Sequence, residues 1–377
     1  MLPISTGTES AIMANIYDVA RLAGVSTTTV SHVLNGTRHV NEDTKARVNS
    51  AMAQLHYQPS SLARAMVRQE TKTIALIVPD NLHPFFSELA CSVEVYAFGA
   101  GYNIMLCQSE RNPDKERAYM DMLVSKRVDG VIHMTTNQQN PHLEPLLAHD
   151  IPVATFDRDY GDTDLRIDTV LIENERGAYL ATKHLLDLGH RRIACIWVPS
   201  GKSQYRRTGY EEALAEAGIA VDPALLCLGD WSLPSGWEAA AYFMQLPDPP
   251  TAIFASNDLM AIGAMACLHD QGIGVPQQVS VAGFDDITMA RYSSPLLTTY
   301  ATPIVEVGER MCRLLCDRID GLLPPERQQV LVYGELKVRK STAPPAGQSN
   351  TQPGHIAGQE DQLTERCCLC GLSSRIN

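Results

Sequence analysis

The chain has 377 residues, 45% of them hydrophobic and 20% charged, and a net charge of −12. That gives room for two or three compact units with cores of their own, and no apolar run approaches the length that spans a bilayer. A surface basic all over is excluded, yet between Asn15 and Gln69 six basic residues (Arg21, Arg38, Lys45, Arg47, Arg64, Arg68) face three acids (Asp18, Glu42, Asp43). A mildly basic front on an acidic body fits a small polyanion-binding module joined to a unit with another task.

In chain order, the opening MLPISTGTESAIMA lacks the basic start and sustained apolar stretch of a signal peptide, so the expected location is the cytoplasm. Ile16, Val19, Ala20 and Ala23 then recur at helical spacing, and Gly24 supplies a turn. Ser26 is placed to cap a second helix with Val30, Val33 and Leu34 inward. Two short helices joined through Ala23-Gly24-Val25 meet the needs of a DNA-binding helix-turn-helix, although an ordinary helical hairpin shares the pattern. Such a unit enters the major groove by the N-terminal end of its second helix, presenting Thr27, Thr28 and, one turn on, His32 to base edges. A threonine can donate or accept through its hydroxyl and touch a thymine methyl with its own. Val40 to Tyr57 predicts a third helix with Ala46, Val48, Ala51, Met52 and Leu55 inward. Arg38 lies in the loop before it, where backbone phosphates would run. The headpiece so defined is all-α and covers 15–58. Residues 59–72, PSSLARAMVRQETK, read either as a solvated linker or as a helix opened by Pro59 with Leu62, Ala63 and Met66 on one face.

Three segments form a long ordered signature: DVARLAGVSTTTVSHVLNG at 18–36, VNEDTKARV at 40–48 and LHYQPSSLARAM at 55–66. On these residues the stretch from Met13 to about Ile77 resembles the lac repressor (LacI/GalR) family, and in its DNA-reading residues the ribose and purine repressors. Met13 to Val19 is similar to the family's usual start, which makes Met13 the expected initiator and 1–12 an extension. The resemblance implies a hinge helix at 59–72 that orders on the operator and pairs with its dimer mate. It would wedge an apolar side chain, here Met66, between base steps of the minor groove.

From Thr73 onward β-rich runs alternate with helical patterns. The runs are 73–78, 102–107, 130–134, 152–156, 192–198, 251–256 and 279–284; the helical segments are 84–99, 114–126, 174–188, 204–217, 236–245 and 257–271. This is the pattern of βαβ units in parallel sheets covered on both faces, and its length calls for two lobes. The resemblance, extended to about Lys340, implies an α/β body like the periplasmic sugar-binding proteins. Lobe 1 would take about 73–172 and 301–332, lobe 2 about 173–300 and 333–340, with crossings near Glu173, Tyr300 and Tyr333. Residues 341–377, rich in Ser, Thr, Gln, Pro and Gly, predict a disordered extension. Cys91, Cys107, Cys195, Cys227, Cys267, Cys312 and Cys316 fall in apolar segments and are expected as buried reduced thiols. Cys367, Cys368 and Cys370 cluster near the end without a partner pair at zinc spacing, so no metal site is expected.

In open parallel sheets, ligands bind beyond the carboxyl ends of strands. Phe85 and Phe86 follow the first strand, Asp157-Arg158 ends PVATF, and Trp231 follows ALLCLGD. Asn257-Asp258 and Asp285-Asp286 end two later strands. Asp, Arg and Asn can pair adjacent sugar hydroxyls and aromatic rings can cover C–H faces, while each acid also serves as turn residue or helix cap. The resemblance implies Asp157, Arg206, Asn257 and Asp285 as polar sugar contacts and Phe86 and Trp231 as aromatic walls. The Asp157-Arg158 pair is similar to that of ribose-binding proteins. The chain departs from the pattern at His83, where ribose binders carry an amide, and at Thr302, where relatives carry glutamine. It departs again at Ser200 and Lys202, where purine repressors carry the polar residues that meet the base.

Pro199 to Ser203 resembles the end of a phosphate-binding loop, but Ile196 stands where its first glycine would be. The adjacent acids Asp285-Asp286 have no partner carboxylate placed for glycoside hydrolysis. Neither an enzyme nor a cofactor is expected. The expected protein is a sequence-specific repressor of a carbohydrate-utilisation operon, a homodimer on a pseudo-palindromic double-stranded operator, released by a small sugar. The alternative is a regulator with a nucleobase or other metabolite as corepressor. A transport-type binding protein would have no use for residues 16–66.

Overall fold

The computed structural model describes residues 14–36, 38–57, 70–134, 142–158, 165–199 and 203–346. The headpiece is three helices, α1 (Ile16–Ala23), α2 (Thr27–Asn35) and α3 (Glu42–Gln54). Each starts on a polar cap. Asn15 accepts from the amides of Tyr17 and Asp18 while Asp18 reaches back to Asn15, Ser26 accepts from Thr29, and Asn41 accepts from Thr44. These contacts satisfy amides that a helix start leaves orphaned. Gly24 and Gly36, at φ 64° and 63°, end α1 and α2 in the left-handed region that glycine enters without a Cβ penalty. Val19, Ala20, Ala23, Val30, Val48 and Ala51 make the small core, with Val33, Leu34 and Leu55 half-buried against it. Ala46, expected in that core, is exposed. It stands two residues before Val48, on the other side of a 3.6-residue turn.

The described residues of the body form two six-stranded sheets. The first runs β11-β5-β4-β3-β1-β2 and the second β12-β10-β9-β8-β6-β7. Lobe 1 holds β1 (Thr73–Val78), α4 (Pro84–Gly99), β2 (Asn103–Gln108), α5 (Pro113–Lys126), β3 (Gly130–His133), α6 (Glu144–Ala148), β4 (Val153–Phe156) and β5 (Ile167–Ile172). The chain then crosses and builds α7 (Asn174–Asp187), β6 (Ile193–Trp197), α8 (Ser203–Glu216), β7 (Leu226–Leu228), α9 (Leu233–Met244), β8 (Ala252–Ala255), α10 (Asp258–Asp270), β9 (Ser280–Asp285) and β10 (Thr298–Ala301). It returns to lobe 1 with α11 (Ile304–Ile319) and β11 (Gln329–Val332), and crosses a third time to β12 (Glu335–Lys337). All the strand pairs are parallel except β10 with β12. Both sheets carry apolar clusters on each face, which explains why their strands read as continuous apolar runs.

Of the strands that sequence patterning passes over, β5 and β10 have polar interiors. In β5, Asp168 is buried and accepts from Arg318 Nη2 at 2.7 Å, Arg318 Nε at 2.9 Å and the Gln328 amide at 2.7 Å. In β10, Thr298 and Thr299 are fully buried, Thr299 donating to Asp258 at 2.5 Å. Composition predicts a disordered extension from 341, but Ser341 is fully buried. Its hydroxyl donates to the Val281 carbonyl at 2.6 Å and accepts from the Thr298 amide at 2.8 Å. The Ala343 carbonyl lies 2.9 Å from His190 Nε2. These backbone and side-chain bonds make 341–343 part of lobe 2, which composition alone does not reveal. Residues 347–377, with Cys367, Cys368 and Cys370, lie outside the described residues. The seven other cysteines are free thiols; Cys91 is exposed and Cys227 and Cys316 half-buried, against the expectation that all would be buried. Cys91 sits between the inward positions Leu89 and Val93 of α4, and Cys227 on the edge strand β7.

Candidate functional site

The headpiece presents α2 to solvent by its first turn. Thr28 is exposed, Thr27 and His32 are half-buried, and Arg38 is exposed in the following loop. Thr28 and His32, four residues apart, share one helix face. Thr29 turns inward to its cap, its hydroxyl 2.9 Å from that of Ser26. Replacing Thr28 or His32 is expected to alter base preference at one or two operator positions by about 1–3 kcal/mol each. Selection from a randomised operator library reads this; an unchanged binding profile would remove α2 from the base-reading role. Met66 and the hinge at 59–69 lie outside the described residues, as do Ser200 and Lys202.

Between the lobes, polar side chains from the carboxyl ends of several strands converge. Asp157, just after β4 in lobe 1, accepts at 2.8 Å from Asn174 Nδ2 at the start of α7 in lobe 2. Asn174 Oδ1 in turn accepts from Arg206 Nε at 2.8 Å. The Arg206 guanidinium also donates to the Ser256 carbonyl at 2.5 Å, lies 3.1 Å from Asp285, and stacks 3.7 Å over the Phe284 ring. Trp231 stands 5.8 Å from the same guanidinium. A second bridge joins His83 of lobe 1 to Asn257 of lobe 2 at 3.1 Å, and a third joins Glu88 to the Thr288 amide at 2.9 Å.

Four non-glycine residues beside these strand ends hold left-handed backbone: Asp157 (φ 51°), Trp231 (75°), Asp285 (111°) and Asp286 (57°). Such conformations cost about 1–3 kcal/mol each and persist where surroundings over-determine them, commonly at ligand clamps. Burial pushes the Asp285 carboxyl up to about 6, against the pull of Arg206. Asp258 is raised well above the usual carboxylate range, by burial first and then by Asp285. It accepts from Thr299 and the Ile287 amide, so its part is to pin the turn after β9.

The protonation of His83 follows from its neighbour. Asn257 Oδ1 accepts from the Met260 amide at 2.9 Å, which orients the side-chain amide. Its Nδ2 then donates to the Trp231 carbonyl and faces His83 Nε2, each at 3.1 Å. Nε2 must therefore accept, and a neutral ring carries its proton on Nδ1. That atom is buried and has no hydrogen-bond partner among the described residues. Burial, aided by Arg111 and Arg206, lowers the His83 pKa to about 4. An unfolded histidine takes up a proton near pH 6.5, where the folded one refuses it, so this group's contribution is intact above pH 6.5 and lost as pH falls toward 4. A His83→Gln chain is expected to lose less stability than the parent between pH 7 and 5, read by urea unfolding. Parallel losses would show that His83 is not held neutral.

The structure thus joins Asp157, Arg206, Trp231, Asn257 and Asp285 in one network. Phe86 is half-buried with its ring 5.5 Å from His83, and Arg158 is half-buried after Asp157. Phe85 is placed differently: it is 5% exposed and packs 5.6 Å from Phe156 inside lobe 1, because alternate helix faces take successive phenylalanines. Asn174 and Ser256 are central, and no motif in the sequence singles them out. Asn174 directly follows the crossing at Glu173, a position at which a side chain must face both lobes. His83 and Thr302 stand out in the sequence only as departures, yet both bring a buried polar atom without a partner among the described residues, His83 Nδ1 and Thr302 Oγ1. Among the described residues no group of His, Cys, Asp and Glu is placed to hold a metal ion, and no helix is long and apolar enough to cross a membrane.

A three-helix headpiece on a two-lobed body with a polar interlobe cleft defines a DNA-binding regulator with an effector-binding-type fold. Residues 15–60 match "Bacterial regulatory proteins, lacI family" and residues 182–342 match a periplasmic binding protein-like domain. The chain is 41% identical over 333 residues to the HTH-type transcriptional repressor PurR of Photobacterium profundum, covering 87% of this chain and 98% of that one. It is 37% identical to the PurR repressor of Mannheimia succiniciproducens, over 87% and 98% of the two chains. Among solved structures, the lac repressor dimer bound to operator and the anti-inducer ONPF superposes with a TM-score of 0.79 at 27% identity, over 88% of this chain and 99% of that one. A LacI-family regulator from Enterococcus faecium with bound ribose gives 0.65 at 31% identity, over 72% and 99%. The chain belongs to the LacI family of DNA-binding transcriptional repressors, which are not enzymes.

Proposed function

We propose that this repressor sets its operator affinity by a small metabolite held in the interlobe cleft, with a nucleobase as the first reading. The observation that carries ligand control is the pair of bridges Asp157–Asn174 and His83–Asn257, which span the lobes at the strand ends. A ligand seated among these groups touches both lobes, so its binding energy depends on their angle, which is the condition for biasing two states. The nucleobase reading rests on the extent of the likeness to PurR repressors. A second reading, a sugar, is favoured by the carboxylates of Asp157 and Asp285 set around Arg206, a donor and acceptor set suited to vicinal hydroxyls. The relative with bound ribose supports it. The protein acts in the cytoplasm as a homodimer on a pseudo-palindromic operator, one headpiece per half-site.

The test is a thermal-shift panel of nucleobases and of pentoses and hexoses on the full chain, followed by operator titration with each hit. A true effector raises the unfolding midpoint in proportion to ln(1 + [L]/Kd) and changes operator affinity in the same concentration range. A nucleobase that tightens operator binding supports the first reading, and a sugar that weakens it supports the second. Hits that shift the midpoint but leave operator affinity untouched would sink ligand control.

A further inference from the structure

The chain enters the body through Glu70, Thr71 and Lys72, and one carboxylate holds that junction. Asp129 Oδ1 accepts from the Thr71 amide at 2.7 Å and from the Thr71 hydroxyl at 3.0 Å. Its Oδ2 accepts from the Lys72 amide at 2.7 Å. Lys72 itself sits at φ 49°, a left-handed conformation strained for a residue with a side chain. Its carbonyl accepts from the Asn103 amide at 2.8 Å, and its ammonium lies 4.7 Å over the Tyr102 ring. The Asp129 amide completes the frame by donating to the Thr73 carbonyl at 2.9 Å.

Thr73, Asn103 and Gly130 begin β1, β2 and β3, so the clamp stands at the amino edge of the first sheet. The cleft lies at the opposite edge. β1 does not need the clamp for its own pairing, since it is already bonded along its length to β2 and β3. Charge-assisted bonds to two successive amides instead fix a kink. The kink is thereby fixed to the starts of β1, β2 and β3. We propose that Asp129 is a positioning residue for operator binding: its carboxylate holds the Thr71–Lys72 kink and thereby ties the headpiece-bearing segment to lobe 1. The effect on operator affinity rests on DNA binding alone, while its effect on ligand response rests on the reading given under Proposed function.

The experiment uses full-length Asp129→Ala and Asp129→Asn. Operator affinity, affinity for non-specific DNA and the unfolding midpoint are measured for each, and operator affinity again with any effector the panel identifies. Asp129→Ala is expected to weaken operator binding about tenfold, equivalent to ~1.4 kcal/mol of lost preorganisation. Non-specific DNA affinity stays unchanged because the headpiece is intact, and the ratio of operator affinities with and without effector moves toward one. Asp129→Asn keeps the Oδ1 acceptor for Thr71 and loses the acceptor for Lys72, so it falls between parent and alanine. A merely structural role would lower the midpoint and weaken all binding together, leaving the effector ratio intact. That pattern, or operator affinity unchanged in Asp129→Ala, overturns the proposal. If the parent chain responds to no ligand, the ligand reading fails, while the operator measurements still decide the role of Asp129.

Discussion

Replacing Arg206 by alanine is expected to abolish the effector response and to destabilise the body by about 3–5 kcal/mol, the penalty of leaving a buried charge without its partner. Arg206 is 6% exposed and its guanidinium serves the Asn174 side chain, the Ser256 carbonyl and the Asp285 carboxylate at once. Without it, the buried Asp285 carboxylate loses the cation that lies 3.1 Å away. The Asn174 oxygen also loses its donor. Lysine is a weak substitute, since a single ammonium cannot meet three directions that a planar fork meets together. Part of the loss is expected to return as pH falls, because a protonated Asp285 needs no cation; its carboxyl already stands at about 6 with Arg206 present. Urea unfolding at two pH values reads the stability, and operator titration with effector reads the response. An Arg206→Ala chain that still answers its effector would take Arg206 out of the site.

The headpiece was legible in the sequence almost residue by residue, because its signals are local. A cap, a turn glycine and an i, i+3, i+4 apolar set each act within one or two helical turns. The body was legible as an alternation of strands and helices in its longer apolar strands, while the short edge strands β7 and β11 escaped. It was not legible in β5 and β10, whose buried Asp168 and threonines are satisfied by Arg318, Gln328 and Asp258, residues distant in the chain. The packing of Ser341 against Val281 and Thr298 escaped for the same reason. Pairings of that kind are set by topology and leave no periodic trace.

The cleft divides along the same line. Asp157, Trp231, Asn257 and Asp285 could be picked out because they stand just past apolar runs, where parallel sheets expose their carboxyl ends. Asn174 could not, since its importance comes from lying between Asp157 and Arg206 in space. The neutral, one-sided proton of His83 needed still more, namely the orientation that Met260 imposes on Asn257. Position could be read from strand ends; hydrogen-bond polarity could not.

Gly209→Ala is expected to have the second large effect, and its sign depends on which of two terms wins. Gly209 lies within α8, where alanine is favoured over glycine by about 1 kcal/mol on helix propensity alone. The added Cβ, however, would meet the Glu175 carbonyl oxygen of α7 at 2.0 Å and the Tyr179 amide nitrogen at 2.8 Å. Both are backbone atoms inside a helix and cannot swing away, so α7 and α8 must part. Overpacking of this kind costs about 1–3 kcal/mol and occasionally more, which exceeds the gain. The separation also reaches the cleft. Arg206 is one helical turn before Gly209 and Asn174 immediately precedes Glu175, so the 2.8 Å bond between them depends on the same close approach. A net loss of about 2 kcal/mol or more, accompanied by a weaker effector response, is therefore expected in urea unfolding and operator titration. Gly99→Ala is the control: Gly99 ends α4 with nothing within 4 Å of a built Cβ, so that change is expected to be neutral or mildly stabilising. If the two substitutions behave alike, the contact of α8 with α7 does not hold Arg206 in place.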